Sequence, residues 1–176
     1  MMRLKYIIKA IEEHYKSGDY PKYIITQISE GTEKFKEYKK EYGTIEEKIV
    51  SNLKSKEQDE QTKQDLWKIE LLHSKLEEGE KQLDTVNEQL ETIKDWDKLS
   101  RSQKRRFLEN VYDCRDFTMD RWNNMDDLIR DIRKINKEND NGVSDLDYLS
   151  CTNELLQPLY KIDNNLQRIT EKYSFD

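Results

Sequence analysis

The sequence predicts an all-α fold, an elongated helical bundle with antiparallel coiled-coil helices. Three observations carry that expectation. The 176 residues include only five glycines and two prolines, too few turn residues for a β-rich fold of this size. Apolar residues recur at helical spacings along most of the chain. Hydrophobic residues make up 34% of the chain and charged residues 39%, against about 45–50% and about 25% in an ordinary domain. That little apolar material cannot fill a thick core, but it suits narrow seams flanked by charge. A disordered chain has a similar composition. The periodicity and an aromatic content of 10% argue against disorder.

The pattern divides into a helical hairpin over 1–43, a coiled-coil region over 44–99 and a helical region over 100–176. In the first stretch Leu4, Ile7, Ile8, Ile11 and Tyr15 fall on one face of an amphipathic helix. Gly18 and Pro21 then stop it and start the next. The second helix has a seam of Ile24, Ile25, Ile28, Phe35, Tyr38 and Tyr42 and folds back on the first. The string AIEEHYKSGDYPKYI resembles the hairpin of a tetratricopeptide unit. It does not recur at the period of about 34 residues that such arrays require, so it reads as a generic hairpin.

Gly43 and Thr44 are expected to interrupt or kink the second helix, with Thr44 and Glu47 as a capping box. The seam resumes at Ile45, Ile49 and Leu53. Residues 54–65 carry no apolar seam. They are either solvated helix or the turn between two long helices, and having no glycine or proline they lean towards helix. The strongest periodicity follows. Ile69, Leu76, Leu83 and Leu90 occupy a positions of a heptad, and Leu72, Gly79, Val86 and Ile93 the d positions. Gly79 costs about 1 kcal/mol in propensity and allows a close approach or a bend. The earlier seam is out of phase with this one, so a break separates them.

Trp96 and Leu99 close this helix, and Ser100 with Gln103 forms a second capping box. A third long helix then carries Phe107, Val111, Cys114, Thr118, Trp122, Met125, Leu128, Ile129, Ile132 and Ile135. Residues 137–143 form a loop, and Ser144 caps the last helix. Its seam is Leu155, Leu159, Ile162, Leu166, Ile169 and Tyr173, with a kink or break at Pro158. Trp122 lies in a seam and is expected in the core. Trp67 flanks its seam, which suits an interface better.

Little in the sequence points to catalysis. His14, His73, Cys114 and Cys151 are isolated, without HxxxH or CxxC spacing. The cysteines sit at apolar helical positions and read as buried thiols. A calcium loop around Gly142 would put Lys137 and Tyr148 where acids are required. No glycine-rich phosphate loop, GxSxG or GxGxxG pattern occurs. The expectation is a protein that is not an enzyme and takes no metal or cofactor.

The function expected is that of a scaffold or adaptor acting through helix pairing. Its partner would be another protein or a second copy. The pairing surface would be Ile69, Leu72, Leu76, Leu83, Val86, Leu90 and Ile93, unless these form the chain's own core. A second candidate surface is the basic run from Arg101 to Arg106, where Arg101, Lys104 and Arg105 share a helix face. It supports an alternative, a regulator or inhibitor encoded by a phage or mobile element that docks on a nucleic-acid-processing machine. The stretch IKDWDKLSRSQKRRFLENVYD resembles the helix after the coiled-coil region of large serine recombinases, without their catalytic or zinc-ribbon motifs. The net charge of −6 makes direct nucleic-acid contact the lesser expectation. No apolar run nears the roughly 18–20 residues that cross a bilayer, and no signal-peptide core opens the chain. The expected setting is intracellular and cytoplasmic, without membrane insertion.

Overall fold

Three helix starts in the computed structural model are fixed by side-chain caps, at Asp59, Ser100 and Ser144. The structure describes residues 3–9 and 20–174. Its elements are α1 (residues 3–9), α2 (Tyr20–Lys54), α3 (Glu60–Gln89), a 3-10 segment (Leu90–Lys98), α4 (Arg101–Asp120), α5 (Asn124–Glu138) and α6 (Asp145–Lys172). The structure is 89% helical with no strand among the described residues, and α2–α6 pack together as an all-α bundle. Ile11, Tyr15 and the expected turn at Gly18 lie outside the described residues.

The helix α2 runs unbroken through Gly43 and Thr44, which corrects the expected kink. Gly43 faces open space, so nothing there forces the backbone to bend. The following stretch also differs from expectation. Residues 55–59 form a turn, not helix. Asp59 supplies the missing start signal, its carboxylate accepting from the Thr62 amide at 2.8 Å. Thr62 stands where a capping box would carry Glu or Gln, so the box signature was absent. The turn reverses the chain. Partners then step backwards along α3 as they advance along α2: Ser29 with Asn87, Lys36 with Asp84, Lys39 with Glu80, Glu46 with His73.

At the end of α3 the chain tightens into the 3-10 segment, with Asp95 off helical geometry at φ −114°, ψ 32°. The capping box at Ser100 and Gln103 forms as expected. The expected third long helix is two helices, broken at residues 121–123. Arg121 is 6% exposed, and its guanidinium donates to the Thr118 carbonyl. That buried placement shifts the seam by one residue. Trp122, expected in the core, therefore points outward at 66% exposure, and Met125 takes up the seam beyond it.

Ser144 caps α6, accepting from the Asp147 amide at 3.0 Å. Gly142 in the preceding loop has φ +73°, a conformation glycine adopts without steric cost. Pro158 does not break α6. The carbonyl it leaves without a helical donor belongs to Glu154, an exposed residue that water reaches.

One core gathers side chains from all five packed helices. Two glycines set its closest approaches. A methyl group on Gly79 would lie 2.2 Å from the Phe117 ring of α4. That ring in turn meets Phe35 of α2 edge-on at 5.7 Å between centroids. One on Gly31 would lie 2.7 Å from the Ile162 side chain of α6.

The two glycine environments give opposite expectations for one chemical change. Gly79→Ala drives a methyl group into an aromatic ring and should destabilise by about 1–3 kcal/mol or more. Gly43→Ala meets open space in a helix and should stabilise by about 0.4–1 kcal/mol. Urea unfolding of the two variants checks both signs. Equal shifts would refute the close packing at Gly79.

Candidate interaction surfaces

The seven heptad residues Ile69, Leu72, Leu76, Leu83, Val86, Leu90 and Ile93 are all buried, none more than 2% exposed. In the single chain they are covered by its own helices. The seam ends against an aromatic cluster, in which Trp96 meets Phe107 and Tyr173 edge-on at 5.8 and 5.0 Å. Lys104 lies over the Trp96 ring at 5.6 Å, half-buried. Arg101, Arg105 and Arg106 are exposed on the first turns of α4. The basic run is thus split, with Lys104 turned to the cluster. Trp67 is 60% exposed.

Two surfaces were not read from the sequence. The first is a groove of about 760 Å³ between α2 and α6. Gly31 and Pro158 form its floor, where the two helices come closest, and Tyr38 and Tyr160 stand on its walls. Glu30, Glu33 and Glu37 line the α2 side, with Lys34 beside them and Lys161 across. At its end stands an aromatic ridge. The Arg121 guanidinium carbon lies 5.0 Å from the Trp122 ring centre and 5.2 Å from that of Tyr160. The two rings meet edge-on at 6.4 Å. Below them Asp163 accepts from Thr118 Oγ1 at 2.9 Å and faces Arg121 and Arg115 at 3.8 and 3.6 Å. Burial draws the Arg121 guanidinium below its ordinary value, against the pull of Asp163. Tyr160 lies off the Leu159 and Ile162 seam, a signal available in the sequence. The chain break that aims Trp122 beside it left no such signal.

The second surface is a cleft of about 530 Å³ between α2 and α3, lined by Tyr42, Gly43, Glu46, His73 and Glu77 among others. His73 Nδ1 lies 3.0 Å from Glu46 Oε2, and Nε2 lies 3.9 Å from Glu77. Burial raises the Glu46 carboxyl above its ordinary value, and His73 only partly offsets this. Nearby, burial pulls the Lys39 ammonium down, but its hydrogen bonds to Glu77 and Glu80 leave it raised. No local sequence pattern joins Glu46 to His73, because they meet across two helices.

The thiols contribute no nucleophile at neutral pH. Burial pushes Cys114 up to about 12 and Cys151 up to about 11. Among the described residues, no group of three His, Cys, Asp or Glu is placed to hold a metal ion, and no helix is long and apolar enough to cross a membrane.

The raised Glu46 carboxyl has a definite sign for stability. The folded state holds its proton more tightly than the unfolded chain does. The resulting stability is full below 4.5 and is lost as pH rises through the raised value. Glu46→Gln removes this titration. Its stability relative to wild type should therefore climb as pH rises from 4.5 through the raised value, read by denaturant unfolding at each pH. A flat difference would show that burial does not raise the Glu46 carboxyl.

Comparison with protein-family models, with curated proteins and with solved structures found no match to this chain.

Proposed function

We propose that this chain is a non-enzymatic interaction protein, a scaffold or adaptor, whose working surface is the α2–α6 groove with the Trp122–Arg121–Tyr160 ridge. The carrying observation is that Trp122 and Tyr160 are 66% and 54% exposed yet stack on a buried arginine. Large aromatics and arginine dominate binding hot spots. Held rigid, they lose little entropy on binding. Pairing of α2 with α3 as an antiparallel coiled coil belongs to the same reading. Its support is the heptad spacing together with the reversed order of contacts. So does an intracellular, cytoplasmic setting, because free buried thiols suit a reducing compartment.

A photo-cross-linking side chain placed at Trp122 in the source cells tests this reading. The same group at exposed Lys63 serves as control. The expected result is a discrete protein adduct at position 122, absent at 63 and reduced at least tenfold by Tyr160→Ala. Equal labelling at both positions overturns the proposal.

The exposure of Arg101, Arg105 and Arg106 favours a second reading, a regulator docking on a nucleic-acid-processing machine through this end of α4. If nucleic acid itself is contacted, binding to a short DNA duplex should weaken steeply with salt. Reversing Arg101, Lys104 and Arg105 to glutamate should then abolish it with helicity unchanged. Binding that survives the reversal, or none in wild type, removes nucleic-acid contact through these residues.

A further inference from the structure

We infer that the α2–α6 groove receives the amphipathic helix α1 of a second copy of this chain. The inference rests on the groove being an interaction surface, as proposed above, and names its occupant. Two exposed surfaces in one chain carry it. In α1, Leu4, Ile7 and Ile8 share a helix face and are 64%, 54% and 48% exposed. That much aliphatic surface on one helix face is what a groove-binding element offers. The groove presents Tyr38, Pro158 and Tyr160 above a floor lowered by Gly31.

Charge matches as well. Arg3 flanks one edge of the apolar face of α1, and Lys5 and Lys9 the other. Glu30, Glu33 and Glu37 recur at helical spacing along one wall of the groove, all exposed. Lys34 and Lys161 also line it, so the match is not complete. Three basic residues on α1 against three acidic ones on α2 still favour this pairing over an acidic ligand.

The geometry points to a second copy. In the single chain α1 is exposed on every described residue while the groove stands open. A two-fold exchange buries both arms in both grooves at once, using one pair of surfaces twice. Doubling matters here, because three aliphatic side chains bury too little to offset the entropy of association alone.

Light scattering of the full chain across a wide range of concentration tests this. Wild type should reach twice the chain mass. Ile7→Asp with Ile8→Asp should weaken that dimer at least tenfold while the circular-dichroism spectrum stays helical, because both side chains are exposed in the single chain. Glu33→Lys with Glu37→Lys should weaken it too, and adding Arg3→Glu with Lys5→Glu should restore it. A monomer at every concentration overturns the inference, including one whose own arm covers its groove. A dimer indifferent to the Ile7 and Ile8 changes, or a charge swap without rescue, also overturns it. A monomer that still yields a foreign adduct at position 122 would sink this inference and leave the proposed function standing.

Discussion

Phe117 stands where a side chain on Gly79 would be, and much of the bundle's arrangement depends on that substitution of one residue's ring for another's side chain. A heptad seam ordinarily selects a partner with its own knobs. Here one d position is empty, and the facing helix fills it with an aromatic ring. The ring reaches through to Phe35, so a single contact ties α2, α3 and α4. The cost of glycine within a helix, about 1 kcal/mol, is offset by the burial of an aromatic ring in the space the glycine leaves. Gly31 plays the same part between α2 and α6, with Ile162 as the intruding side chain.

A chain with this little apolar material cannot build a thick core, and the structure spreads a thin one over five helices. Polar groups fill what hydrophobes leave. Asp163, Thr118, Arg115 and Arg121 form a partly buried cluster where α4 and α6 meet. Such a cluster adds little net stability over apolar packing. It holds the Arg121 guanidinium inward at the end of α4, beside the exposed Trp122 ring. Apolar burial is concentrated in the seams.

The fold class and most seams were legible because helical periodicity is strong where it exists. In the α2 seam Ile24, Ile28, Phe35, Tyr42, Ile49 and Leu53 are buried as their spacing implied, with Ile25, Tyr38 and Ile45 partly so, and the α6 seam from Leu155 to Tyr173 is buried. The capping box at Ser100 and the cap at Ser144 were legible for the same local reason. The misreadings have separate causes. Residues 55–59 turn without glycine or proline, since a single aspartate cap suffices to restart the helix. Residues 121–123 break without them too, the backbone leaving helical geometry at Asn123 (φ −117°, ψ −97°). Gly43 looked like a breaker and is none, because a glycine costs propensity but forces nothing. Long-range causes leave no local pattern, so the ridge and the Glu46–His73 pair were illegible too.

The same logic explains why the proposed surface lies away from the strongest sequence signal. A heptad seam advertises pairing, and in this chain α2, α4 and α5 answer it. What stays unanswered is found at the irregularities: a helix break exposing Trp122, a glycine crossing that opens a groove, a helix with an exposed aliphatic face. Regular packing consumes apolar side chains in register and leaves charge outside. Departures from register strand large side chains at the surface, where desolvating them on contact gives a partner most of its binding energy. In a thin bundle, then, the sites of broken periodicity are where association is expected, and the seams are where the fold is held.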